Sequence, residues 1–179
     1  MLERANAIGA EELVTFVTVN LGEVAWLSGD FHVTLEKSLE AAELFRASGD
    51  ESGLLTALDS CAWAALALRD PARAKGLLYE VFPLATRLRA DRRLFTTTCG
   101  LGAALARLGE WDRGAQLFGA AASLREDLPV AFTDERQEGL CEQALTDARA
   151  ALREEAFAAA WSRGREMAED EIRTFARGE

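Results

Sequence analysis

A turn recurs in this chain at intervals of 40 residues: Gly29-Asp30-Phe31, then Arg69-Asp70-Pro71, then Gly109-Glu110-Trp111. Each follows an apolar run: "LGEVAWLS" from Leu21, "CAWAALAL" from Cys61 and "LGAALARL" from Leu101. Small residues keep one register before the turn (Gly22, Ala62, Gly102). Another small residue stands three positions after each turn (Thr34, Ala74, Gly114). Agreement in spacing, turn chemistry and small-residue register confines the chain to folds built by repeating one short unit.

The turn chemistry says what that unit is. Glycine at 29 and 109 suits the left-handed conformation that ends a helix. Asp30, Asp70 and Glu110 stand where an acidic group meets the free N–H groups of the next helix. Pro71 fits a first helical turn, where its missing N–H costs nothing. Small residues on both sides let two antiparallel helices approach closely. Each unit therefore reads as a helix–turn–helix, and since one pair cannot bury its own apolar face, neighbours must stack. A second set of turns joins the pairs. "RASGDESGLL" (Arg46 to Leu55) is matched 40 residues earlier by "NAIGAEELVT" (Asn6 to Thr15), so a break is expected at Gly9, and Asp91 is expected to cap the fifth helix. On this reading "LERANAIG" is the tail of a second helix. It is either an N-terminal half-unit or the cut edge of a longer array, and the second is favoured.

After Leu124 the rhythm changes, with Pro129 and then Thr133-Asp134-Glu135-Arg136, which resembles the opening of a capping box. A helix is expected from Glu135 to about Arg153 on Leu140, Ala144, Ala148 and Leu152. Two further stripes follow, Phe157, Ala160, Trp161 and Gly164, then Ile172, Phe175 and Ala176. The expected organisation is therefore 1–127, three helical hairpins preceded by a partial repeat helix, and 128–179, a C-terminal cluster of capping helices. The fold class is all-α, a right-handed α-solenoid with a 40-residue period.

Composition narrows the function. The 179 residues are 49% hydrophobic and carry a net charge of −10, which argues against a nucleic-acid surface because phosphate contacts need concentrated positive charge. Apolar stretches are Ala-rich and interrupted by charge, so no membrane span is expected. "MLERANAIGA" has an acid at its third position and does not read as a signal peptide, so a cytoplasmic location is expected. Cys61, Cys99 and Cys141 form no CxxC pair and His32 is the only histidine, so no metal site is expected and the cysteines read as reduced, buried thiols. Lys37 and Lys75 are the only lysines; this Arg- and Ala-heavy usage suits a GC-rich bacterial genome.

The elements at Leu21 to Thr34 and Leu101 to Ala115 resemble tetratricopeptide repeats: Leu-Gly in the first helix, Gly and an acid at the turn, an aromatic next, and a small residue three further on. The chain departs from that pattern in its period, 40 instead of about 34 residues. It also lacks the terminal Pro and carries Cys61-Ala62 for Leu-Gly. The longer variant, and above all "GAQLFGAAASLRED" followed by "ALREEAFAAAWSRGREMAEDEIRTFA", resembles the C-terminal helical repeats of LuxR-type and similar bacterial regulators with a signal-transduction ATPase module. The resemblance implies a sensing or partner-binding arm. No GxxxxGK[ST] loop or basic recognition helix accompanies it, and "GLGAAL" (Gly100 to Leu105) reads as helix packing.

The resemblance also implies a concave groove lined by the first helix of each pair. Carried over by register, it takes Phe16, Val19, Glu23, Trp26 and Leu27 from the first unit, Thr56, Asp59, Trp63 and Leu66 from the second, and Thr96, Cys99, Ala103 and Arg107 from the third. Phe16, Glu23, Trp26, Asp59, Trp63, Thr96 and Arg107 are the candidate site, with Trp26 and Trp63 as anchors and Trp63 replaceable without loss of helicity. The expected occupant is a protein segment or a small-molecule effector, without a cofactor. No titratable cluster points to catalysis: His32 has no Ser or Cys at a recognisable spacing, and Asp134, Glu135, Glu138 and Glu142 read as a solvated face. A free-standing adaptor is the alternative, as is a self-association module that forms a homodimer through the N-terminal end.

Overall fold

The computed structural model describes residues 2–127 and 130–177. Among these residues the chain is helical without strands: α1 (Leu2–Ser28), α2 (Phe31–Ser48), α3 (Glu51–Ala67), α4 (Pro71–Arg87), α5 (Asp91–Arg107), α6 (Trp111–Asp127), α7 (Glu135–Ala151), α8 (Glu154–Arg165) and α9 (Glu169–Arg177). The break expected at Pro129 lies outside the described residues.

Local chemistry sets these boundaries. Gly29 and Gly109 take positive φ of 83° and 84° at the ends of α1 and α5. At the middle turn the same left-handed position is held by Arg69, φ 61°, a conformation that is costly for a side-chain-bearing residue. The next helices begin on aspartate caps: Asp30 accepts from Val33 N at 3.2 Å, Asp50 from Gly53 N at 2.9 Å and Asp70 from Arg73 N at 3.1 Å. Two caps differ from expectation. Ala90 occupies the cap position of α5 and Asp91 is its first helical residue, where a negative charge still favours the helix dipole. The Glu110 carboxylate pairs with Lys75 and Arg113. The break expected at Gly9 is not formed either, because α1 runs unbroken from Leu2 to Ser28. A glycine weakens a helix interior by about 1 kcal/mol, which a long helix tolerates.

From α1 to α6 each helix packs against the next in sequence. Alanines at zero exposure line these contacts: Ala62, Ala64 and Ala65 in α3, Ala74 and Ala85 in α4, Ala103, Ala104 and Ala106 in α5. Between them Leu58, Trp63, Leu66, Leu78, Val81, Phe82, Leu101, Leu105 and Leu117 fill one continuous core. The last three helices depart from this order. α7 lies chiefly along α5, α8 packs chiefly on α6, and α9 crosses α4 and α6, where Ile172 is 1% exposed.

The α6–α8 contact is a backbone-to-backbone approach. A Cβ at Gly119 would land on the Trp161 carbonyl, and one at Gly164 would land on the Gln116 carbonyl. Neither obstacle is a flexible side chain, so a methyl group must push the helices apart. Gly164→Ala is therefore expected to cost 1–3 kcal/mol or more by overpacking, although alanine is the better helix former. Gly76, in α4 with open space around it, sets the opposite sign: Gly76→Ala should gain about 1 kcal/mol. Urea melts of both variants check this, and equal stabilisation by both would rule out the close approach.

Candidate functional site

The α1, α3 and α5 helices share one side of the array, and a half-open cavity of about 650 Å³ lies along it. Its wall comes from Val19, Glu23, Trp26 and Leu27 of α1, from Thr34, Ser38, Ala41 and Phe45 of α2, and from Ser52, Thr56, Asp59, Ser60 and Trp63 of α3. Arg92, Arg93 and Thr96 of α5 complete it, with Thr133, Asp134 and Gln137 from the start of α7.

The deepest charged group is Asp59, 1% exposed. One carboxylate oxygen accepts the Trp63 indole N–H at 3.2 Å, and the other is ion-paired to the Arg93 guanidinium. Burial pushes the Asp59 carboxyl above the usual carboxylate range, while Arg93 and the Trp63 N–H pull against that rise. At the other end, the half-buried Trp26 donates its indole N–H to Asp134 Oδ2 at 2.6 Å. The second oxygen of Asp134 accepts the Arg136 and Gln137 backbone N–H groups at 2.9 and 3.1 Å, capping α7. Arg136 then reaches back, donating to the Trp26 carbonyl and, at 2.9 Å, to the Leu27 carbonyl. Arg92 donates to Thr133 Oγ at 2.6 Å. Residues 130–134 thus cross the face of the array, with the Phe132 ring 6.1 Å from Trp63 and 5.2 Å from Phe95.

Five of the seven expected site residues, Glu23, Trp26, Asp59, Trp63 and Thr96, surround this one cavity. Their accessibility differs from expectation. Trp63 backs the wall but exposes none of its surface, because Phe132 and the α3–α5 contact cover the ring, so it is a core residue. Thr96 is buried, and its hydroxyl donates to the Arg93 carbonyl at 3.2 Å. Phe16 lies outside the cavity, 66% exposed on α1. Arg107 lies outside it too. Its guanidinium donates to the Leu66 carbonyl at 2.6 Å, and it lines a separate cleft of about 430 Å³ with Arg69, Arg136, Phe31 and Leu140. Partial burial, together with the like charge of Arg69, lowers its pKa from the usual arginine value. Trp26 is the wall between the two spaces.

Sequence reading missed the contribution of Arg92, Arg93, Thr133, Asp134 and Gln137. The available signal was the cap pattern at Thr133-Asp134, which marked a helix start without showing that it folds over the first three pairs. It also missed that Cys99 of α5 and Cys141 of α7, both buried, meet thiol to thiol; burial, and after it the neighbouring Cys99, pushes the Cys141 thiol well above the usual range. Burial is the main cause that pushes the Cys61 thiol to about 12. Among the described residues no group of three or more His, Cys, Asp or Glu is placed to hold a metal ion, and no helix is long and apolar enough to cross a membrane.

No family model, curated protein or solved structure matches this chain.

Two outcomes follow from the burial of Trp63 and Asp59. Trp63→Ala is expected to destabilise the fold by about 3–5 kcal/mol, as large core truncations do; a melt unchanged from the parent would return Trp63 to the accessible wall. For Asp59 the sign comes from its raised carboxyl: the native state holds the proton more tightly than the unfolded chain. Its stabilising contribution is fully present below the ordinary value of 3.8 and is lost as pH rises through the folded value. The stability of the parent relative to Asp59→Asn should therefore fall as pH rises from about 4 toward neutrality. Paired denaturant melts across that range measure it, and a rising difference would mean that Arg93 outweighs burial.

Proposed function

We propose that this chain is a non-catalytic binding domain of a bacterial signalling or transcriptional regulator, acting in the cytoplasm, and that the cavity behind Trp26 is its effector site. The reading includes the finer architecture: a right-handed α-solenoid of tetratricopeptide-like pairs with a 40-residue period, closed by the C-terminal helices. The cavity carries it. Its volume of about 650 Å³ falls in the range of small-molecule sites, roughly 300–1,000 Å³. It is bounded by a half-buried tryptophan, hydroxyls of Ser52, Thr56, Ser60 and Thr133, and charged groups from three helices.

The same lining narrows the ligand. Four carboxylates (Glu23, Asp50, Asp59, Asp134) face two guanidiniums (Arg92, Arg93). Asp50, Asp59 and Asp134 are engaged in caps or pairs, while Glu23 stands exposed at the wall. Such a balance suits a neutral, hydroxyl-rich or cationic small molecule and disfavours phosphates. A small molecule is also favoured over an extended peptide, because residues 130–134 cross the face where a peptide would run. The buried carboxylate, with both oxygens engaged by Trp63 and Arg93, suits a framework group more than an acid–base catalyst.

Calorimetry and tryptophan fluorescence with a polyamine, a free amino-acid amine, a disaccharide and Mg-ATP test this. Binding is expected from the amines or the disaccharide, weakened about tenfold or more by Glu23→Gln or Trp26→Ala, and not from ATP. ATP binding at micromolar concentration, or no binding by any amine or sugar, would count against the cavity as the effector site.

A further inference from the structure

The outer face of α1 has no partner in the fold. Ten large hydrophobic side chains are conspicuously exposed among the described residues, and seven of them sit on this one helix: Leu13, Val14, Phe16, Val17, Leu21, Val24 and Leu27. They form a continuous stripe. Val14, Val17, Leu21 and Val24 follow one another in steps of three and four residues, with Leu13, Asn20 and Leu27 alongside at steps of seven. That is the pattern of a helix seated on another helix. The opposite side of α1 already has its neighbour, with Thr18, Gly22 and Ala25 buried beside α2. Among the described residues nothing covers the stripe.

We propose that this face pairs with the same face of a second copy of the chain, α1 against α1, in a two-fold dimer. The inference does not rest on the effector site: the stripe adjoins the cavity wall along α1 and shares only Leu27 with it. Three observations carry it. The first is area: the seven side chains are 46% to 66% exposed and present on the order of 100 Å² each, about 700 Å² per chain, close to the roughly 800 Å² that each partner gives a stable interface. The second is polarity. Between Leu13 and Ser28 no member of the stripe is charged, the exposed Glu23 standing at its edge beside Leu27, and its two polar members turn to their own backbone. Asn20 donates to the Phe16 carbonyl at 2.6 Å and Ser28 to the Ala25 carbonyl at 3.0 Å. A net charge of −10 repels two copies elsewhere, but no acidic side chain is forced against another here. The third is self-complementarity. With the axis beside Asn20 and Leu21, an antiparallel pairing sets Val17 opposite Val24 and Val14 opposite Leu27, so that one residue set serves both sides, as an isologous contact requires.

Sedimentation equilibrium of the full chain, from micromolar to submillimolar concentration and at low and high salt, tests the proposal. The expected result is twice the chain mass of 19.5 kDa, with tighter association at high salt as the like net charges are screened. The double variant Leu21→Glu/Val24→Glu should be monomeric with unchanged far-ultraviolet circular dichroism, since both side chains point away from the core. Asn20→Cys gives an independent readout: the native thiols are buried, so mild oxidation should produce a covalent dimer, and Glu40→Cys, on the exposed side of α2, should not. A parent that stays monomeric throughout, a dimer that survives the double variant, or an open-ended ladder of larger species would each overturn the two-fold α1 pairing.

Discussion

A pair of packed helices has two apolar flanks and can cover only one of them by itself. Every interface in this chain answers that constraint. Between α2 and α6 the answer is another helix, brought close by alanines that expose no surface and held by leucines that fill the gaps. Beyond α6 the array changes its solution. α8 presses its backbone onto α6 where glycines stand on both helices, and α9 lays Ile172 across the seam. The glycines explain why a helix of only 12 residues seals that flank. Close backbone approach gives many small dispersion contacts that a longer but looser helix would forfeit. At α1 the constraint is met on one flank and left open on the other.

The parts of this arrangement that the sequence displays are those set within a few residues. Gly29, Asp30, Asp70, Pro71 and Gly109 each act on the turn in which they stand, and the structure places a helix end or a helix cap at each. The failures have the same logic read backwards. Gly9 was matched to Gly49 by register, but Gly49 ends a helix that has a neighbour waiting, whereas α1 continues through Gly9 into the stripe-bearing segment. Asp91 stands at the register position of a cap, and the chain enters α5 one residue earlier, at Ala90.

For the site, register brought Glu23, Trp26, Asp59, Trp63 and Thr96 to one side, since equal phase on parallel helices is a local property of each helix. It could not say which of these remain accessible. Accessibility was decided by Phe132 and Asp134, more than 100 residues from Trp26, and nothing in the first three units announces that contact. Arg107 failed for a related reason. Helix C-termini favour cationic groups, and the Leu66 carbonyl near the end of α3, which already accepts the Arg69 backbone N–H at 3.1 Å, holds the Arg107 guanidinium away from the groove.

Asp134 thus has two roles that cannot be separated. The carboxylate that starts α7 also receives the Trp26 indole, and Arg136, two residues later, takes the carbonyls at the end of α1. The last turn of α1 is therefore fixed by α7 as well as by α2. On one face of that same helix stand Glu23 and Trp26, which bound the cavity, beside them Leu27, which borders both surfaces, and beyond it Leu21 and Val24 of the apolar stripe. A ligand that displaced the Trp26 backbone would carry Val24 and Leu27 with it, because a helical turn moves as a unit. By thermodynamic reciprocity, whatever free energy links an occupied cavity to the orientation of that turn must act equally in the opposite direction. Thr18, Gly22 and Ala25 hold the side of α1 that meets α2, which leaves the stripe accessible on its outer side, and the Trp26–Asp134 bond ties the C-terminal turn of the helix to the wall of the cavity.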